Sequence, residues 1–337
     1  MTIQFRKLGS AGLRISPICL GTMMFGGPTS EPDSIRIIHR AIDDGVNFID
    51  TANVYAKGES ERIVGNAVRD RRDKVVLATK VRVAVGPGTN DAGCSRHHIL
   101  REVENSLRRL GLDHIDLYYL HQYDYDTPLE ESLRALDDLV RQGKVRYVGC
   151  SNYYAYQVVG GLWISERQGL ERFTCVQPLY NLVNRDPELE LFPACRAFGV
   201  GVAVYSPLAR GVLTGKYRPG ESFPEGSRAA RGDKRIHETE LREESFRISQ
   251  ELGRWCEQKG VATSQFTLAW VLANTAVSSA IIGPRTMEQF EDNLKALDCK
   301  ITPDDEAFVD KLVPPGEHSG KGYNDPNYPV RGRTLNG

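Results

Sequence analysis

Four residues could do chemistry together: Asp50, Tyr55, Lys80 and His121. Asp50 ends the apolar stretch Asn47 to Asp50, Lys80 ends Lys74 to Lys80, and His121 ends Ile115 to His121. Tyr55 lies five residues past Asp50. Each has an ordinary reading alone: a turn cap, an exposed strand end, a core histidine, a tyrosine at a loop boundary. A carboxylate, a lysine and a histidine closing three successive apolar stretches are harder to set aside. The chemistry that uses this set is proton donation to a carbonyl oxygen while hydride arrives at its carbon. A phenol with a pKa of about 10 is a reluctant acid at neutral pH. An ammonium at about 4 Å and an effective dielectric near 20 stabilises the phenolate by roughly 4 kcal/mol, or about three pKa units. That brings the phenol toward working pH, where acid-base catalysis is efficient. Asp50 keeps Lys80 charged and placed, and His121, as a neutral imidazole donor, orients the carbonyl oxygen. None of these groups supplies hydride, so a nicotinamide is required.

Such residues converge only if the elements beneath them are arranged to bring them together. Short, β-branched apolar runs recur at Pro17 to Gly21, Asn47 to Asp50, Lys74 to Lys80, Ile115 to His121, Arg146 to Ser151, Thr174 to Gln177, Gly201 to Ser206 and Ser279 to Gly283. Helical patterns lie between them, such as Ile99, Leu100, Val103, Leu107 and Leu110, whose spacings of three and four draw one apolar stripe. Thr127 to Glu130 and Thr286 to Gln289 fit the capping box, the first with Pro128 at the opening helical position. Continuous apolar strands alternating with helices imply parallel pairing with right-handed crossovers. Eight such units predict an α/β fold of the (β/α)8 TIM-barrel type, whose catalytic residues gather at the carboxyl ends of the strands. A doubly wound sheet would show G-x-G-x-x-G after an early strand, and the sequence has none. Gly211 to Lys216 is one residue short of a P-loop, and Tyr217 stands where Ser or Thr is needed.

One domain over 1–337 is expected. Residues 1–16, with Gly9 and Gly12 in the middle of Phe5 to Ser16, read as a hairpin plugging the barrel's lower mouth. A glycine- and charge-rich loop from Pro207 to Glu243 follows the seventh barrel strand, and loops of that length usually bind or cover a ligand. The tail, 313–337, reads as irregular. A formal net charge of -1 from 43 basic and 44 acidic residues gives no footprint for nucleic acid or an anionic membrane. With no apolar run near membrane-spanning length and no charged-then-apolar leader, the expected address is cytoplasmic and the partners small molecules, with a homo-oligomer allowed. Seven scattered cysteines without a C-x-x-C predict reduced thiols and no zinc site, with Cys19, Cys150 and Cys175 as small buried hydrophobes. His97 and His98, at a helix start, read as surface residues rather than metal ligands.

From about Phe5 to Leu312 the chain resembles the aldo-keto reductase superfamily. The resemblance rests on Leu20 to Met23, Phe48 to Tyr55, Ala78 to Lys80, Tyr119 to His121, Gly149 to Asn152, Val176 to Asn181, Tyr205 to Leu208 and Ile282 to Arg285. It implies that Asp50, Tyr55, Lys80 and His121 are the catalytic tetrad. It implies a nicotinamide whose carboxamide is held by Ser151, Asn152 and Gln177 and whose ring stacks on Tyr205, with Gly21, Thr22, Met23 and Asp50 also at the cofactor. Ser206, Pro207, Leu208, Arg210, Gly215 and Lys216 would follow the pyrophosphate, and Gly283, Arg285, Gln289 and Asn293 the adenosine end. Thr286 and Gln289 could equally serve only as a helix cap. Arg285 beside a helix amino terminus favours a phosphate, hence NADPH over NADH. Met23, Met24, Phe25, Arg82, Tyr123 and Tyr125 lie on loops that could line a mixed aromatic and flexible substrate pocket.

The wording after the fifth strand (Ser151, Asn152, Tyr153) and from Ser206 to Tyr217 is similar to the branch holding microbial reductases and potassium-channel β-subunits. The expected activity is therefore reversible, NADPH-dependent reduction of aldehydes and ketones, the reverse being an alcohol dehydrogenase reaction. The alternative is a cofactor-sensing subunit of the channel type with slow residual chemistry. A Schiff-base lyase using Lys80 is a third reading.

Overall fold

The computed structural model describes residues 3–218, 220–320 and 325–328. The chain divides into two compact units, one of Met1–Pro178, Glu190–Tyr205 and Asn274–Leu294, the other of Leu179–Leu189, Ser206–Ala273 and Lys295–Gly337.

The first unit opens with an antiparallel hairpin of β1 (Arg6–Lys7) and β2 (Arg14–Ile15). It then contributes β3 (Ile18–Gly21), β4 (Phe48–Asp50), β5 (Val76–Val81), β6 (Ile115–Leu120), β7 (Val145–Ser151), β8 (Phe173–Gln177), β9 (Gly201–Tyr205) and β10 (Ser279–Ile282). These strands close in chain order, β10 returning to β3, and every pair is parallel. All eight predicted strands are present within a residue or two of their expected limits. Closure leaves no free edge, so each strand is covered on both sides and needs to be apolar along its length.

Inside the barrel, Cys19, Phe48, Val76, Ala78, Leu117, Tyr119, Cys175, Ala203 and Ile281 form one cluster. Leu8 and Ile15 of the hairpin are fully buried in the same cluster, as expected of a plug. Gly9 makes that approach with φ +60°, where a Cβ would lie 2.4 Å from the Gly199 carbonyl oxygen. Only glycine fits there.

Around these strands the first unit carries α1 (Glu31–Asp43), α2 (Glu59–Val68), α3 (Arg96–Leu110), α4 (Leu129–Arg141), α5 (Ala155–Gln168) and α6 (Leu191–Phe198). The second unit holds α7 (Lys234–Thr239), α8 (Glu243–Gln258) and α9 (Thr263–Ala273). The first unit adds α10 (Met287–Leu294), and α11 (Pro303–Leu312) belongs to the second. α3 begins on Ser95, whose side chain accepts from His98 N, and ends on Gly111 in the left-handed region. It buries Ile99, Val103, Leu107 and Leu110, most of the stripe read from the sequence.

Within the long loop from Pro207 to Glu243, Asp233 caps the short α7 by accepting from Ile236 N at 3.1 Å. Two expectations are corrected. α4 is capped one residue later than expected: Pro128, not Thr127, takes the N-cap position, and the Thr127 hydroxyl donates to Asp124 at 2.8 Å. His98 is buried rather than superficial, with Nδ1 3.0 Å from the Asn90 carbonyl oxygen, while His97 is exposed.

In the second unit, Trp255 stacks on Phe308 at 4.3 Å, and Asp305 accepts from Trp255 at 2.8 Å and Lys259 at 2.6 Å. Of the tail, 313–320 and 325–328 contain turns and an isolated bridge from Asn184 to His318. The rest of the tail lies outside the described residues.

Candidate active site

Alternation along a strand decides which side chains enter the mouth. Phe48 faces the barrel interior, so Asp50 does too, and Val76 and Ala78 lead to Lys80. Leu117 and Tyr119 lead to His121 just past β6, and Cys175 leads to Gln177. The interior parity that packs the core thus ends in polar groups at the carboxyl rim.

At the rim, Lys80 is fully buried and paired with Asp50, which is nearly so. Its Nζ also donates to the Thr51 carbonyl oxygen at 2.8 Å and to the Tyr55 hydroxyl at 3.2 Å. Gln177 Nε2 donates to the second Asp50 oxygen at 2.9 Å. Burial works against the charge on Lys80, but Asp50 and Tyr55 offset it by charge and hydrogen bonding, and the lysine pKa is raised. Lys80 therefore stays an ammonium at neutral pH. The rings of Tyr55 and His121 meet edge to face, with centroids 6.0 Å apart and planes at 78°. Burial, with the charges of Lys80 and Arg82, holds His121 well below the usual histidine range, so its imidazole is neutral. His121 Nδ1 is buried without a hydrogen-bond partner.

The amide and hydroxyl groups expected at a nicotinamide carboxamide form a connected set. Ser151 Oγ donates to the Gln177 carbonyl oxygen at 2.8 Å, and Asn152 Nδ2 lies 3.0 Å from Ser151 Oγ and 2.9 Å from the His121 carbonyl oxygen. The Tyr205 hydroxyl donates to Asn152 Oδ1 at 2.7 Å, with the Tyr205 ring partly exposed. Asn152 sits at φ +59°, a position uncommon for any residue but glycine and most tolerated by Asn.

Of the other first-unit positions, Thr22 is committed to structure: its hydroxyl is 3.0 Å from the Asp50 carbonyl oxygen and 2.8 Å from Ser60 Oγ. Gly21 packs so closely on Ile281 that a Cβ would lie 2.7 Å from it. Gln289 reaches back to Arg285 N at 2.9 Å while Thr286 Oγ1 accepts from Gln289 N at 3.3 Å. These two side chains therefore do cap α10; Asn293 is buried on the same helix, and Gly283 is exposed. Of the loop residues expected near substrate, Met23 and Tyr125 are exposed, whereas Phe25 is fully buried and Met24 nearly so. Tyr123 lies edge to face with Tyr125 at 4.8 Å and with Tyr153 at 5.1 Å, and Arg82 donates to Gln122 at 2.7 Å.

In the second unit, Ser206, Leu208, Arg210, Gly215 and Lys216 belong to a tight segment around a 3-10 turn, Ala209–Thr214. Ser206, Ala209 and Arg210 all have φ near +50°, and Pro207 is buried. Arg210 Nε is 3.9 Å from the buried Glu240, and Lys216 Nζ lies 5.2 Å from the Tyr217 ring centroid.

Sequence reasoning missed the Thr51 carbonyl oxygen, because a main-chain acceptor leaves no trace in residue type. It also missed two buried carboxylates, Glu61 and Glu102. Glu102 was readable: it sits on the stripe of α3 that carries Ile99, Val103 and Leu107.

Residues 17–314 match the aldo/keto reductase family model. The chain is 38% identical over 95% of its length to a Bacillus subtilis (strain 168) protein named uncharacterized oxidoreductase YrpG, of which it covers 99%. It is 37% identical to a probable voltage-gated potassium channel subunit beta of Oryza sativa subsp. japonica, the match covering 92% of this chain and 95% of the other. With aldo-keto reductase AMT2 of Alternaria alternata it shares 34% identity over 94% of each chain. This chain belongs to the aldo/keto reductase family. It is an oxidoreductase that acts on carbonyl groups of small molecules. Among the described residues, no helix is long and apolar enough to cross a membrane.

Proposed function

We propose that this protein reduces aldehydes and ketones to alcohols with NADPH, reversibly, and that Tyr55 is its general acid and base. The observation that carries the reading is the Lys80 ammonium, 3.2 Å from the Tyr55 hydroxyl and paired with Asp50. A bound nicotinamide would supply the hydride. Tyr55 gives its phenolic proton to the carbonyl oxygen, and Lys80 stabilises the phenolate left behind. Asp50 keeps Lys80 charged and fixed, and Gln177 holds the other Asp50 oxygen. His121, neutral, donates a hydrogen bond that orients the carbonyl oxygen. In the reverse direction the phenolate takes the proton of the alcohol.

Ser151, Asn152 and Gln177 would fix the carboxamide edge, with Tyr205 under the ring. Ser206, Pro207, Leu208, Arg210, Gly215 and Lys216 are proposed for the pyrophosphate, and Gly283, Arg285, Gln289 and Asn293 for the adenosine end. Arg285, one residue before the cap of α10, is the proposed partner of the 2′-phosphate. The likeness to potassium channel β-subunits supports a second reading, a cofactor-sensing subunit with slow residual chemistry.

A panel of aromatic, aliphatic and sugar-derived carbonyls, followed by cofactor absorbance with NADPH and then NADH, separates these readings. Rapid multiple turnover with kcat/KM about tenfold or more in favour of NADPH is expected, the equivalent of one charge-assisted contact. Arg285→Ala should narrow that preference. A single slow turnover with retained cofactor would favour the subunit reading, and equal use of NADH would remove the role given to Arg285.

A further inference from the structure

We infer that Glu102 and Asn53 form a positioning device for Tyr55; the inference rests on Tyr55 being the proton donor. The loop from Thr51 to Gly58 carries Tyr55, and its course is unusual. Ala56, Lys57 and Gly58 follow Tyr55 with φ of 48°, 58° and 95°. Two successive non-glycine residues in the left-handed region are disfavoured by roughly 1–2 kcal/mol each. Such a path persists only where the surroundings impose it.

The surroundings here are the buried face of α3. Asn53, two residues before Tyr55, donates from Nδ2 to Glu102 Oε2 at 2.9 Å, and both side chains are buried. Glu102 Oε1 is held in turn by Asn105 at 2.6 Å. Three residues past Tyr55, Gly58 packs on Arg109, where a Cβ would lie 2.8 Å from Cδ. Arg109 donates to Glu61 at 2.6 Å and lies 3.8 Å from Glu102. Glu61 closes the circuit by accepting from Thr79 at 2.6 Å, and Thr79 precedes Lys80 on β5. One helix thus pins the tyrosine loop on both sides of Tyr55 and reaches the strand that carries its lysine.

A buried carboxylate such as Glu102 is costly unless paired and hydrogen-bonded, and apolar residues of similar volume would serve stability as well or better. Placement, by contrast, needs the carboxylate. A misplacement of about 1 Å at reacting groups can cost about a hundredfold in rate. Asn53 and Glu102 touch neither substrate nor cofactor in this account; they act through the position of the Tyr55 hydroxyl against Lys80.

The test is a double-mutant cycle of Asn53→Ala and Tyr55→Phe, with Glu102→Gln as the conservative variant, in which an acceptor for Asn53 is kept. Asn53→Ala should lower kcat about tenfold to a hundredfold, leave the NADPH dissociation constant within about twofold, and displace the Tyr55 limb of the kcat pH profile. In the Tyr55→Phe background the same substitution should cost about nothing further, because the group it positions is gone. Glu102→Gln should keep most of the activity, whereas Glu102→Leu should behave as Asn53→Ala. Should Glu102→Leu fail to fold, the Asn53 cycle alone decides. An unchanged kcat in Asn53→Ala, or a full additional loss on top of Tyr55→Phe, overturns the inference. Undiminished turnover in Tyr55→Phe itself would instead remove the acid assignment on which it rests.

Discussion

At Lys80 and His121, one buried rim imposes opposite outcomes on two bases. Lys80 keeps its proton because Asp50 and Tyr55 outweigh burial, and His121 gives its proton up because burial and two cations act in the same direction. That has a consequence for stability. The unfolded chain binds a proton at His121 as pH falls below about 6.5, while the folded chain resists until lower pH. His121 therefore withdraws stability progressively as pH drops through that window, and adds no such dependence above it. Replacing it by Asn should flatten the fall in unfolding free energy between about pH 7 and pH 5, measured by urea titration at each pH. Parallel curves for the two proteins would show that His121 is not held neutral by its surroundings.

The elements that deliver these residues were more legible than their connections. The apolar runs located all eight barrel strands, whereas the inward parity of Phe48 and Asp50, of Ala78 and Lys80 and of Tyr119 and His121 came only with the structure, because runs apolar on both faces do not show which side chains point inward. What failed was local. The Thr127 hydroxyl donates to Asp124 instead of accepting from the N–H groups at the start of α4. His98, in the first turn of α3, is drawn inward onto the Asn90 carbonyl oxygen eight residues earlier, a contact that depends on how the irregular segment before the helix folds back. The tether from Asn53 to Glu102 spans 49 positions, and no spacing rule reports such a pair.

Close approach of elements was similarly hidden. Gly65 of α2 lies against the end of α3, where a Cβ would be 1.9 Å from the Leu110 carbonyl oxygen. Gly65→Ala should destabilise by roughly 1–3 kcal/mol, since backbone has to shift. Gly160 of α5 has nothing within 4 Å of the same position. Its alanine variant should be stabilised by about 0.5–1 kcal/mol. Denaturant midpoints moving in opposite directions support this packing; a wild-type midpoint for Gly65→Ala would refute it.

For the molecule as a whole, the near-balance of 43 basic and 44 acidic residues leaves recognition to the site rather than to a long-range field. The family match runs through both compact units. On the proposed reading, the ionisable groups of the rim serve one proton transfer, and a bound nicotinamide would supply the hydride. The most direct test is a single-turnover measurement of hydride transfer from NADPH in Tyr55→Phe against the unaltered protein, with cofactor affinity measured alongside. The account predicts a fall of about 10²–10⁴ in the transfer rate, with NADPH bound as tightly as before. Transfer at the unaltered rate would contradict it.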